Sequence, residues 1–191
     1  DPRADLDFSI NSNLCLPKHM IERLSKKINS LHGKVKSFEI YTSLESIGDQ
    51  AEYVRNGMNY SEFMENCIYL LENTPTDVRL HFMTTINMLS APSFLDYLKV
   101  LKDLRKKYNI TSHNFRVRTF FNYLRWPPFM SLQMLPENLK KEYGDQWLDF
   151  MNTNAITSEP KAGQCFYVEE VEQVKRLVDF MRSGKTQNVD Y

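Results

Sequence analysis

Apolar and polar residues alternate with a period of two in four separate stretches: "DLDFSIN" (5–11), "VKSFEIYTS" (35–43), "VRLHFMTTI" (78–86) and "NFRVRTFFN" (114–122). That period predicts half-buried strands. Between them the spacing turns helical. Met20, Ile21, Leu24, Ile28 and Leu31 follow Pro17 and stop before Gly33. Phe63, Cys67, Leu70 and Leu71 follow Asn59 and Glu62, which stand at the spacing of a capping box. Phe94, Leu98, Leu101 and Leu104 follow Ser90 and Pro92. Beyond the fourth strand, "RWPPF" predicts a rigid turn, a helix is expected after Pro136, and Val171, Val174, Val178 and Met181 mark a last helix. Strands alternating with helices predict βαβ units, and so an α/β fold around a parallel sheet.

The strands carry a second signal. A parallel sheet covered on both faces usually gives unbroken apolar runs, whereas here one parity is mostly polar. It holds Asp5, Asp7, Ser9, Asn11 and Asn13, then Ser37, Glu39, Tyr41 and Ser43, then Arg79, His81, Met83, Thr85 and Asn87, and finally Arg116, Arg118 and Asn122. The other parity holds Leu6, Phe8, Ile10, Phe38, Ile40, Val78, Leu80, Phe82 and Ile86. Two arrangements satisfy this pattern: a sheet with one face in water, or a curved, partly open barrel whose concave face lines a polar cavity. In the second, Asn11, Asn13, Ser43, Thr85, Asn87 and Asn122 gather at the carboxyl ends of the strands, where parallel α/β folds bind ligands.

Composition narrows the classes. The chain has 191 residues, zero formal net charge and a quarter of its residues charged. It lacks the basic excess of a phosphate-tracking protein and any apolar run near the roughly 20 residues of a membrane helix. Neither nucleic acid nor membrane is therefore expected as a partner. Three scattered cysteines, Cys15, Cys67 and Cys165, predict no disulfide scaffold and a reducing, cytoplasmic setting. No C-x-x-C is present, so no metal site is expected on this chain. The first residues run almost at once into a strand, which suggests a fragment.

The stretch "YTSLESIGDQAEYVRNG" (41–57) joins the second strand to its helix. Its length exceeds the about 2–6 residues of an ordinary strand-to-helix loop, and long loops at this edge tend to be functional. Arg55 could hold a carboxylate or phosphate there through its planar fork, or form a surface salt bridge with Glu52 or Glu62.

With its neighbours this stretch resembles the central part of radical S-adenosylmethionine (SAM) enzymes of the twitch or SPASM type. "SINSNL" is similar to their strand ending in a T-N-G-like turn, and "TSLESIG" followed by "AEYVRNGMNYSEFMENCIYLLE" to their S-L-D-G, R-G and helix. "VRLHFMTTINMLSAPSFLDYLKVLKDLRKKY" resembles the next strand and helix, and "FNYLRWPPFMSLQMLP" the sixth-strand region. The likeness spans Asp5 to about Tyr143.

The resemblance implies a partial (β/α)6, TIM-like barrel over 1–152, approximately strands three to six, and a C-terminal linker and helix over 153–191 that begins a twitch-type extension. It implies a [4Fe–4S] cluster bound upstream of Asp1, SAM cleaved by one electron to a 5′-deoxyadenosyl radical, a small-molecule or peptide substrate, and a reductase as electron donor. Carried over by position, Ser43, Arg55, Asn13, Thr85 and Asn87 would bind SAM, and Arg118, Asn122 and His81 would face the substrate. The chain departs from the pattern in lacking C-x3-C-x2-C, in carrying Glu45 for the usual Asp, and in placing Asn56 between Arg55 and Gly57. As it stands it is expected to be inactive alone. Two other classes fit the residues: a non-redox barrel binding an anionic small molecule through Arg55, and a degenerate barrel serving as an interaction module.

Among the remaining features, His19, His32, His81 and His113 show no ligand spacing, and Asp5 and Asp7 suggest a structural role at the start of a strand. Trp126, Trp147 and Phe129 suggest packing, and "LKDLRKKY" (101–108) a charged helix face.

Overall fold

Period-two alternation becomes four strands: β1 (Arg3–Asn11), β2 (Val35–Ser43), β3 (Val78–Ile86) and β4 (Val117–Tyr123). The structure, a computed structural model, describes residues 3–109, 115–157 and 165–184; His113 lies outside them. The strands form one open sheet in the order β1-β2-β3-β4, every pair parallel. The helices are α1 (Lys18–Leu31), α2 (Gly48–Val54), α3 (Tyr60–Asn73), α4 (Phe94–Tyr108), α5 (Glu137–Asn154) and α6 (Val168–Ser183). The α/β class expected from the alternation is thus observed.

Register keeps the parities apart. Phe38 pairs with Val78, Ile40 with Leu80, and Leu80 with Val117, so these side chains share one face. That face is the core. Ile21 and Ile28 of α1, Phe63 and Leu70 of α3, and Phe94, Leu98 and Leu101 of α4 bury against it. Phe63 meets Phe82 edge-on at 6.4 Å, and Phe94 meets Phe121 at 5.7 Å and Trp147 of α5 at 4.9 Å. Asn59 Oδ1 accepts the Glu62 N–H at 3.0 Å, the cap expected at the start of α3.

Three residues of the expected apolar set stand partly in solvent. Met20 is exposed because α1 turns Ile21, Ser25 and Ile28 inward; the Ser25 hydroxyl donates to Asn73 O at 2.7 Å, tying α1 to the end of α3. Phe8 leans on Phe38 at 5.1 Å yet remains 38% exposed, and Leu6 is 39% exposed. Both lie on the edge strand, and among the described residues no helix crosses over them. At the opposite edge, α6 covers β4: the Phe121 N–H donates to Gln173 Oε1 at 2.8 Å, and Tyr123 stacks on Phe180 at 4.1 Å. A covered edge offers no template for further pairing.

Arg116 and Arg105 depart from the sequence expectation in the same way. Arg116 falls before β4 and turns away from the polar face. Its guanidinium is buried and donates to Leu71 O (2.5 Å), Thr74 O (2.9 Å) and Val78 O (3.1 Å), closing the carbonyl end of α3. Arg105 is no part of a solvated helix face. It is 2% exposed, grips Glu170 of α6 through two hydrogen bonds of 2.8 and 2.6 Å, and also donates to Val117 O (3.0 Å) and Cys165 O (2.8 Å). The rings of Phe115 and Phe166 lie 4.6 and 5.0 Å from its guanidinium carbon. Trp147 packs as expected, but Trp126 and Phe129 are exposed because the turn after β4 carries them past the end of the core.

Removing one member of a buried ion pair strands the other charge. Glu170→Ala should cost about 3–5 kcal/mol in urea unfolding. Arg105→Met combined with Glu170→Leu should cost less than Glu170→Ala alone. A double variant weaker than the single one would contradict this account.

Candidate functional site

Three loops meet at the carboxyl end of the sheet. The turn after β1 is held by local bonds: the Ser12 N–H donates to Tyr41 O (2.9 Å), the Leu14 N–H to Ser12 Oγ (3.1 Å) and the Cys15 N–H to Asn13 Oδ1 (3.2 Å). Leu14 adopts a left-handed φ of 52°, unusual for a branched residue, and its side chain is fully buried. Asn66 of α3 fixes this turn by donating to Leu14 O and Leu16 O at 2.9 and 2.8 Å. Across the sheet, Thr84 donates to Leu44 O at 2.8 Å and so sets where β2 ends. The result is a cleft of about 290 Å³ lined by Asn11, Ser12, Asn13, Tyr41, Ser43 and Met83. It brings Asn13 and Ser43 together. Their polar groups face it from adjacent strand ends, with Asn11 and Tyr41 in register beneath.

The long connection from β2 contains α2. Arg55 ends that helix, its N–H bonded to Ala51 O at 2.9 Å, and Gly57 follows at φ 86°, a conformation that favours glycine. The partner of Arg55 is Glu45 rather than Glu52 or Glu62: Nε and Nη2 both reach Glu45 Oε2, at 2.9 and 2.5 Å. Glu52 instead accepts the Tyr60 N–H at 2.8 Å, capping α3. Burial holds the Glu45 carboxyl above its usual range, and the Arg55 hydrogen bond and charge offset that only in part. Arg55 Nη1 meets no protein acceptor among the described residues. The guanidinium also acts electrostatically on Cys15 of the turn after β1, opposing the burial that raises its thiol, but Arg55 does not itself line the cleft.

Further down the open face, a groove of about 600 Å³ adjoins the cleft, since both are lined by Tyr41 and Met83. His81, Arg118, Phe120, Tyr167 and Glu169 complete most of its wall. A network underlies it. Glu39 accepts from Tyr41 Oη (2.6 Å) and Arg79 Nη1 (3.1 Å), and Tyr41 stacks on His81 at 4.5 Å. Burial works to raise Glu39, but the Tyr41 bond, His81 and Arg79 together hold it below the usual carboxylate range. Burial drives His81 down to about 4; Glu39 opposes that shift and Arg118 and Arg79 add to it. At neutral pH His81 is therefore an uncharged imidazole.

The other expected site residues are spread more widely. Thr85 pairs with Asn122 across β3 and β4, both exposed on the open face. Asn87 lies just past β3, where its Oδ1 accepts the N–H groups of Leu89 (2.9 Å) and Ser90 (3.2 Å), so that oxygen shapes the turn into α4. Asp7 accepts from Ser37 Oγ (2.6 Å) and Lys36 Nζ (3.0 Å), a link between β1 and β2. Glu45, Glu39, Tyr41 and Met83 belong to the site, although spacing did not single them out; the last three were visible only as members of the polar parity. A separate hollow of about 620 Å³, between the entry to α1 and α3, includes Cys15, Glu62, Asn66 and Tyr69. Its Asn66 amide is already committed to the turn.

Among the described residues no group of His, Cys, Asp or Glu could hold a metal ion, and no helix is long and apolar enough to cross a membrane. Family models, characterised proteins and solved structures give no match to this chain.

The low value of His81 fixes a sign for pH dependence. The unfolded chain takes up a proton near 6.5 and the folded one near 4, so stability present at neutral pH is lost on acidification between these values. The loss should be about 3 kcal/mol. In urea titrations from pH 7 to pH 4.5, His81→Gln should show a flatter profile than the parent; equal slopes would refute the assignment.

Proposed function

We propose that this chain is a segment of a radical SAM barrel and that its cleft receives part of SAM. One observation carries the proposal: the sequentially ordered parallel sheet buries one face under α1, α3 and α4 and leaves polar groups converging at its carboxyl end, with Asn13 and Ser43 in one cleft. Strands in spatial order 1-2-3-4 with helices on one side are what an arc of a (β/α) barrel requires. The arc corresponds to about strands three to six of the (β/α)6 barrel, and Cys165 to Gly184 begin the extension beyond it.

The chain's own residues divide the work. Ser12 Oγ and Asn13 Oδ1 accept backbone N–H groups, which leaves the Ser12 hydroxyl proton and the Asn13 amide protons as donors toward a ligand. Ser43 supplies a hydroxyl for the ribose or methionine portion. Arg55, oriented by Glu45, presents Nη1 to the methionine carboxylate. Glu45 thereby acts as a positioning residue, fixing the guanidinium plane at the rim. Asn87 contributes through its turn, while Thr85 and Asn122 widen the open face.

The iron–sulfur cluster does not fit the described residues, whose cysteines stand apart with Cys67 wholly buried. Held by residues outside those described, the cluster would supply the electron for SAM cleavage. A small-molecule or peptide substrate and a reductase complete this reading.

Calorimetric titration of the protein with SAM tests it. Ser43→Ala and Arg55→Lys, which keeps the charge over Glu45 but loses the fork, should each weaken binding by about tenfold, or 1.4 kcal/mol. Unchanged affinity in both variants refutes the assignment. Binding of inorganic phosphate in place of SAM would favour the anion-binding barrel, and binding of neither the interaction module.

A further inference from the structure

The groove beside the cleft has a composition of its own. Tyr41 and His81 form a stacked pair on its floor, and Met83 and Phe120, 38% and 49% exposed, put apolar surface where the rest of the open face is polar. Two charges on its wall lack an ion-pair partner among the described residues. Arg118 spends only Nε, on Phe115 O at 3.3 Å, and its two Nη groups meet no acceptor among the described residues. Glu169, in the first turn of α6, meets no cation there either. This contrasts with the neighbouring charges: Arg79 is held by Glu39, and Glu170 by Arg105. Arg118 and Glu169 line the same hollow without bridging each other. A volume of about 600 Å³ is in the range of small-ligand sites.

We infer that this groove binds an amino-acid or short-peptide ligand whose carboxylate sits on Arg118, whose ammonium sits toward Glu169, and whose apolar side chain lies against Tyr41, His81, Met83 and Phe120. The chemistry follows from what each wall lacks. A planar guanidinium with both Nη groups unused is suited to a carboxylate, which accepts two parallel N–H bonds. The Glu169 carboxylate, with no cation on it among the described residues, attracts one from a ligand. The neutral ring of His81 stacked on Tyr41 offers a flat apolar floor without adding a third charge. A ligand with only one charge would leave Arg118 or Glu169 without its partner.

The inference rests on the reading of the open face as a ligand-binding face, and it extends that reading to the substrate class. Its test does not require SAM, so the two can fail separately: a negative SAM titration leaves the peptide result standing, and the reverse holds equally.

The probe is the dipeptide Ala-Phe, with its N-acetyl and C-amide derivatives, titrated by calorimetry and by amide chemical shifts. Ala-Phe should bind, and each derivative should bind about tenfold more weakly than the parent peptide. In Arg118→Gln, acid and amide should bind equally; in Glu169→Gln, free and acetylated amino termini should bind equally. Phe120→Ala, at an exposed position, should weaken all forms alike. Circular dichroism and melting temperature should match the parent for each variant. The inference is overturned if no form binds, if the amide binds the parent protein as tightly as the acid, or if Arg118→Gln retains full discrimination between them.

Discussion

A parallel sheet exposes two faces whose side chains alternate along every strand, and no strand can turn one face to oil without turning the other somewhere else. Here the helices fall on a single side. Phe38, Leu80, Phe82 and Val117 meet α3 and α4, and every intervening residue is delivered to the opposite surface. That surface is consequently furnished with Glu39, Tyr41, Ser43, Arg79, His81, Met83 and Arg118 by the same register that builds the core. Site and core are not independent designs. A shift of one residue in pairing would bury the charges and expose the aromatics together.

The buried cations extend this logic to the helices. Arg116 gathers the last carbonyls of α3, and Arg105 joins α4, β4 and α6 at one point. Each is long enough to reach several acceptors that a packed apolar side chain would leave unsatisfied. Because Glu170 also accepts the Tyr167 N–H at 2.9 Å, the pair sets where α6 begins. Tyr167 and Glu169 of the groove owe their positions to that start, so a link within the core determines one wall of a surface site.

Much of this was legible in the chain. Parity gave the four strands and separated the faces, and the caps at Asn59, Ser90 and Pro136 marked helices that are present. What escaped was pairing over distance. Nothing near Arg105 names Glu170, which lies 65 residues away, and spacing offers Arg55 either a ligand anion or a surface bridge to Glu52 or Glu62, not the glutamate ten residues before it that it meets. Charge type predicts that a partner is needed but not which one, because the choice depends on how the helices dock. Arg116 escapes for a simpler reason: the alternation of the sequence begins before β4, which starts only at Val117. Trp126 and Phe129 were expected to pack because aromatic residues usually do, but a turn running past the core gives them nothing to pack against.

The two borders of the sheet are finished differently. Along β4, Gln173 and Phe180 of α6 occupy the margin. Along β1, the backbone margin and the half-exposed rings and chains of Leu6 and Phe8 have no such cover among the described residues. The sheet is thus directional in a sense apart from its strand polarity. Among the described residues it has a covered side and an open side: a strand added next to β1 would find unpaired backbone, lengthening the open face away from the groove while leaving the α6 wall untouched.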